Sequence, residues 1–255
     1  MTRLGEVSRQ LKRFTQGIKH YVLPPISPLT GEVVDSLGGL GATQWGKLEF
    51  LCGSICFCCG IPLEQNNFTD ARCAICEATP PQIRCSRSAL VYSTTSRKLI
   101  LNFKYGGRTD STHIFSNWMI QAASDILQPP AILVPVPLHI FRRMHRKFNQ
   151  SALLANALAK QCQMSHQPRW LVRHRNTPSQ GLKSGPNRAR NVQGAFRVPK
   201  RFADKIRGQR IVLVDDVRAS GATLEACAKA LLLAGATQID AVTLARVVKP
   251  LEPTT

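Results

Sequence analysis

Acidic residues are what the middle of this chain lacks: no Asp or Glu occurs from Ile126 to Ala203, a span that holds 14 Lys or Arg. Over all 255 residues, 34 Lys plus Arg stand against 15 Asp plus Glu, a formal net charge of +19. A face so unbalanced repels itself unless a polyanion occupies it, so nucleic acid is the expected partner, with a phosphorylated small molecule as part of the load. A merely solubilising positive surface is the bland alternative. The chain also lacks any run of 18 apolar residues, which excludes a membrane-spanning helix. Met1 to His20 has neither the apolar stretch nor the small-residue cleavage site of a secretory signal. A cytoplasmic, soluble protein is therefore expected. Nine cysteines then belong to a reducing compartment, where paired spacings mean metal more often than disulfide.

Such a pairing is present. Cys56-x-x-Cys59 is followed, after thirteen residues, by Cys73-x-x-Cys76, and four thiolates from two knuckles form a closed tetrahedral set suited to structural Zn²⁺. Four sulfurs leave no position for a reactive water. An iron–sulfur cluster is the less suited alternative. Cys52, Cys58 and Cys85 are left over as small apolar fillers, although Cys58 or Cys85 could substitute in the shell. Ahead of the knuckles, Leu4, Val7, Leu11, Phe14 and Ile18 repeat at helical spacing, which predicts a basic amphipathic helix ended by Pro24-Pro25.

From Ala89 the pattern becomes α/β. Strands are predicted at Leu90–Ser93, Ile132–Val136, Gly194–Val198 and Ile239–Ala245, and helices at Arg97–Tyr105, His113–Leu127, Asn149–Gln161 and Leu224–Ala234. The strand at 132 ends in Pro135-Val136-Pro137-Leu138, and the loop after it carries Arg142, Arg143, Arg146 and Lys147. Arginines beyond a parallel strand's C-terminal end are placed to meet phosphate oxygens bidentately. Residues 176–187 hold Pro, Ser, Gly and Asn with little apolar content, the composition of a long lid or binding loop. Trp170, Phe148 and Phe196 are either stacking platforms for bases or core residues.

The stretch that organises the chain is Ile211-Val212-Leu213-Val214-Asp215-Asp216-Val217-Arg218-Ala219-Ser220-Gly221-Ala222-Thr223-Leu224. It reads as a buried parallel strand, two acids at its end, a small-residue turn and a helix. Helix-start amides hold an anion, and adjacent carboxylates beside that anion suit vicinal hydroxyls or a metal ion, so a ribose phosphate satisfies the whole set. A buried strand whose acids merely cap the next helix is the alternative. A receiver domain also has an acid pair at a strand end, but it needs more βα units than the remaining chain supplies.

This stretch resembles the phosphoribosyl-pyrophosphate (PRPP) motif of the phosphoribosyltransferases. The resemblance implies that Asp215 and Asp216 hold the ribose hydroxyls, that Arg218, Ala219, Ser220, Gly221, Ala222 and Thr223 form the 5′-phosphate turn, and that Val217 between them belongs to the PRPP site. Ala219 stands where that family usually has a hydroxyl residue; one lost charge-assisted hydrogen bond is worth about 1.5–3 kcal/mol, enough to weaken binding by roughly tens of fold.

Further motifs follow in one order: Lys104-Tyr105-Gly106-Gly107-Arg108, Val134 to Leu138, Phe148-Asn149-Gln150, Thr177-Pro178-Ser179-Gln180 and Asn191-Val192-Gln193-Gly194-Ala195-Phe196. With the acid pair they resemble the ComF family, also called the GntX type, over roughly residues 50 to 247. That resemblance implies a type I phosphoribosyltransferase-like parallel sheet flanked by helices, with a small N-terminal zinc-ribbon module. It implies domains at 1–50 (helix and front module), 51–86 (four-cysteine zinc module) and 87–250. It implies binding of PRPP or a related ribose phosphate with Mg²⁺, and of single-stranded DNA, in DNA uptake and natural transformation. Pro135, Val136, Pro137, Leu138, Arg142 and Arg143 fall on the pyrophosphate side. Arg146, Lys147, Gln180, Arg188, Arg190 and Asn191 fall on the loops for nucleic acid. Two alternatives stand beside it: an active PRPP-dependent transferase on an unidentified acceptor, and a zinc-module scaffold among DNA-import proteins. Many relatives carry a second four-cysteine set upstream, where this chain has Ser27, Thr30, Gly41 and Gln44. A metal-free front module and one zinc per chain are therefore expected.

Overall fold

The apolar run Ile211 to Val214 is buried because its strand lies at the centre of a sheet covered on both faces. The computed structural model describes residues 27, 29–34, 39–64, 70–105, 109–138, 148–175 and 192–248. The predicted N-terminal helix, the 176–187 loop with Gln180, and Arg142, Arg143, Arg146, Lys147, Arg188, Arg190 and Asn191 lie outside the described residues.

The described elements are α1 (Ala42–Trp45), α2 (Ala74–Ala78), β1 (Cys85–Val91), α3 (Thr94–Tyr105), α4 (Thr112–Ala122), β2 (Ile132–Pro135), α5 (Gln150–Cys162), β3 (Ser165–His166), β4 (Val172–Arg173), β5 (Phe196–Arg197), α6 (Ala203–Ile206), β6 (Arg210–Arg218), α7 (Ala222–Leu233) and β7 (Gln238–Arg246). The main sheet has the order β1-β7-β6-β2-β3, with every pairing parallel.

Alternation along β6 builds the two layers outside the sheet. Val212 and Val214 join Phe103 of α3, Phe115 and Met119 of α4 and Leu158 of α5 on one face. Ile211 and Leu213 join Leu224 and Leu231 of α7 on the other. Each such side chain, fully buried, contributes about 1.5–3 kcal/mol. Sliding β6 by one residue would invert both sets, so the register is strongly specified.

The antiparallel β4–β5 ribbon covers the α7 face, and Trp170 and Phe196 fill the core there. Both are therefore spent on packing; Phe148 is half-buried. Residues 49–51 run antiparallel along β1, with Leu51 N–H donating to the Ala89 carbonyl and Val91 N–H to the Glu49 carbonyl. That pairing blunts an otherwise open sheet edge. Among the described residues no helix is long and apolar enough to cross a membrane.

Candidate functional site

Chain direction diverges between β6 and β2. From β2 the chain crosses through α5 on one face to β3, whereas from β6 it crosses through α7 on the other face to β7. A crevice outside the carboxyl ends of such strands is where open α/β sheets bind ligands. The structure brings two predicted site segments to that point: Pro135 is the register partner of Val214, one residue before the acid pair.

The two acids have different surroundings. Asp215 Oδ1 accepts from Ser151 Oγ at 2.8 Å and from the Asp216 amide at 2.9 Å. Burial and the neighbouring Asp216 carboxylate push its carboxyl up to about 7, against the Ser151 hydroxyl, the Asp216 amide and Lys104, which pull it down. Asp216 is 9% exposed, and its Oδ2 lies 2.9 Å from Lys104 Nζ.

Lys104, Asn149 and Gln150 belong to motifs the sequence singled out without assigning a role, and the structure assigns each a contact. Lys104 is in the last turn of α3, where its carbonyl accepts from Gln150 Nε2 at 3.0 Å. Asn149 caps α5, its Oδ1 accepting from the Ser151 amide at 3.1 Å while its Nδ2 donates to the Val136 carbonyl. Ser151 was missed altogether. Its signal was weak: a small hydroxyl residue two positions after an N-cap, whose partner is 64 residues away.

The predicted anion turn is Arg218 to Thr223. Gly221 has φ +82° and leads directly into α7 as its N-cap, which offers no side chain to that helix start. Ser220 is exposed, with its Oγ 3.4 Å from the Ala222 amide. Three residues thus separate the acid-bearing strand from a twelve-residue helix, and free amides at such a helix start can hold an anion. Arg218 is instead buried, 5% exposed, and donates to Ser86 Oγ of β1 at 3.2 Å. In the Pro135 to Leu138 segment the prolines carry no N–H, and the Val136 amide is donated to the Val214 carbonyl at 2.9 Å. Leu138 holds the amide of that segment that the sheet does not use.

The predicted metal set also converges. The ligand atoms of Cys56, Cys59, Cys73 and Cys76 all lie within 4.8 Å of one another, and Cys59 Sγ and Cys73 Sγ are 3.7 Å apart. Tetrahedral Zn–S bonds of about 2.3 Å put sulfurs roughly 3.8 Å apart, so the four fit one zinc ion. Burial works against ionised thiols, but backbone hydrogen bonds involving Cys59 and Cys73 bring the Cys56 thiol down to about 7. Burial and the neighbouring sulfurs raise Cys76. All four ionise together only with a cation among them. Cys58 is buried beside the set without belonging to it, and Cys85 lies in the main core, where burial pushes its thiol up to about 12.

At Ser27, Thr30, Gly41 and Gln44 the structure shows a hydrogen-bonded cluster. Ser27 Oγ donates to Gln44 Oε1 at 2.6 Å, Gln44 Nε2 donates to Thr30 Oγ1 at 2.8 Å, and the Gly41 amide donates to Gln44 Oε1 at 3.3 Å.

Comparison with known proteins agrees with this geometry. A family described as the phosphoribosyl transferase domain matches residues 150–253. The competence protein ComFC of Bacillus subtilis strain 168 is 31% identical over 208 residues, covering 78% of this chain and 81% of that protein. The DNA utilization protein YhgH of Escherichia coli strain K12 is 29% identical over 210 residues, 76% of this chain and 84% of its own length. Competence protein F of Haemophilus influenzae is 32% identical over a shorter stretch of 120 residues, 47% of this chain and 52% of that one.

Proposed function

Because this chain belongs to the ComF family, we propose that it is a ribose-phosphate-binding protein of DNA uptake. On this reading it takes PRPP or a close relative at the 215–223 site and single-stranded DNA on its acid-free face. One observation carries the ligand reading: an acid pair near the end of the central strand stands one short turn before a helix whose N-cap is a glycine, where the crossovers diverge.

Each group then has a task. Asp215 and Asp216 accept from the ribose hydroxyls, with Lys104 sharing or yielding the Asp216 carboxylate as the sugar enters. The amides after Ala219, with the Ser220 and Thr223 hydroxyls, take the 5′-phosphate. The Pro135 to Leu138 turn, joined by Arg142 and Arg143, faces pyrophosphate and the Mg²⁺ that accompanies it. Zn²⁺ is the ion proposed for the four sulfurs, one per chain and structural. The names of the relatives, competence and DNA utilization, support the DNA-uptake role. The acid-free span supports a polyanion partner. Ala219 favours a sensor of the ligand over a fast transferase, since it lacks one phosphate-holding hydroxyl.

Calorimetric titration of PRPP with Mg²⁺ tests the site. The parent chain is expected to bind, and Asp216→Asn to weaken that binding by at least about tenfold, the value of one charge-assisted hydrogen bond. No heat with the parent chain ends the reading. Pyrophosphate release against a panel of bases separates sensor from transferase.

A further inference from the structure

Two buried arginines join the four-sulfur centre to the anion turn. Arg218 and Arg246 are register partners at the ends of β6 and β7, only 5% and 7% exposed. Arg246 reaches the first knuckle, donating to the Cys59 carbonyl at 2.5 Å and lying 3.5 Å from Cys59 Sγ. Its neighbour Val247 donates its amide to the Arg218 carbonyl at 2.9 Å, which pins the residue that opens the turn.

A second path runs beside the first. Gly60 follows Cys59 in the αL conformation, and a Cβ there would meet the Ser86 carbonyl oxygen at 2.7 Å, so the knuckle rests on the backbone of β1. The same Ser86 accepts from Arg218 through its hydroxyl. The Arg218 guanidinium in turn fills the space behind Gly221, where a Cβ would come within 2.9 Å of it. Cys59-Gly60 thus touches β7 and β1, the two strands whose ends hold Arg218 at the start of the turn.

Charge makes this joint depend on the metal. Among the described residues neither arginine forms a salt bridge with a carboxylate; the Glu225 carboxylate acts on Arg218 from farther off, and the charges that act on Arg246 are Arg218 and the sulfurs. Two guanidiniums side by side in the interior need a counter-charge, and four thiolates on one divalent cation carry a net charge of about −2. Neutral thiols carry none.

We infer that Arg246 is a positioning residue that uses the metal–thiolate centre as its counter-ion and couples metal occupancy to order in the 218–223 turn. Metal in the knuckle holds Arg246, Arg246 and Val247 hold Arg218, and Arg218 backs the glycine turn. By reciprocity, an anion on the turn slows metal loss. The inference rests on the ribose-phosphate reading for what the turn binds, and not for the coupling itself.

The test uses the full chain loaded with zinc, and Arg246→Gln and Arg246→Lys. Zinc transfer to a coloured chelator is timed, hydrogen exchange is followed at 218–224 and at Thr112–Ala122, and PRPP with Mg²⁺ is titrated. Arg246→Gln is expected to release zinc about ten- to a hundredfold faster. Its 218–224 amides are expected to exchange at least about fivefold faster, with α4 unchanged. Stripping zinc from the parent is expected to reproduce that pattern, and Arg246→Lys to fall between. Unchanged exchange at 218–224 after stripping, or parent-like zinc release from Arg246→Gln, overturns the inference. Should Arg246→Gln not fold, stripping the parent alone decides. A parent that shows the exchange coupling but no heat with PRPP upholds the coupling and refutes the ribose-phosphate reading.

Discussion

Two small knuckles of like spacing, Ser27-x-x-Thr30 with Gly41-x-x-Gln44 and Cys56-x-x-Cys59 with Cys73-x-x-Cys76, close around quite different centres. The second gathers four sulfurs around room for one ion. The first gathers the side chains of Ser27, Thr30 and Glu32 and the Gly41 amide around a single buried glutamine, 5% exposed, whose carbonyl accepts twice and whose amide donates to Thr30 and Glu32. A carboxamide offers both donors and acceptors, so it can cross-link a turn and a helix start without metal. Their anchorage differs as well. Trp45, next to Gln44, stacks on Phe50 at 6.0 Å and meets Trp118 of α4 edge-on at 5.4 Å. The cysteine knuckle is instead tied to the sheet by Arg246. An apolar anchor is indifferent to what fills the knuckle; a cationic one is not.

The largest effect expected from breaking this contrast is at the sulfurs. Cys76→Ser removes a ligand from a closed set whose metal contributes on the order of 10 kcal/mol in isolated zinc modules. The variant should lose its zinc and melt more than about 10 °C lower by calorimetry. Metal analysis of the parent should give one zinc per chain, and two would show that the front knuckle also binds metal.

Next in size is Gln44→Ala. It removes the acceptor shared by Ser27 and Gly41 inside a buried site, a cost of about 2–4 kcal/mol in denaturant unfolding. Zinc content should not change; a parallel loss of zinc would mean that the two knuckles are one unit.

The smallest effect concerns pH and lies at the acid pair. A folded-state pKa near 7 for Asp215 lies above the ordinary carboxyl value. Its stabilising contribution is therefore full below about pH 4 and fades as pH rises through about 7. Between pH 6 and 8 the ligand-free parent should lose stability relative to Asp215→Asn. Ribose binding runs the other way, because only the ionised carboxylate accepts freely from hydroxyls, so affinity should rise over the same range. Parallel melting curves for the two proteins across that range would remove Asp215 from the account.

Much of the architecture was legible in order along the chain. Most strand and helix positions follow from apolar runs, although the strand expected at Leu90–Ser93 runs Cys85–Val91 and the short β3 and β4 were not expected, and the cysteine spacing alone put four sulfurs in one place. One boundary moved in an instructive way: the apolar run ends at Val214, yet β6 continues to Arg218. The acids stay in the strand because β7 supplies partners beyond it, Thr243 for Asp215 and Ala245 for Val217. No property of Asp-Asp-Val-Arg as a tetrapeptide announces that.

By itself, the sequence determined what is local: which of the longer segments are strands or helices, which thiols come together, and where an acid pair meets a helix start. The tertiary structure alone decided the company those groups keep. Lys104 faces Asp216, Ser151 faces Asp215 from 64 residues away, and Arg246 reaches Cys59 across 187. Those pairings depend on strand order and on a register that is correct to one residue, and both are chosen by how the whole hydrophobic interior fills rather than by any short stretch of chain.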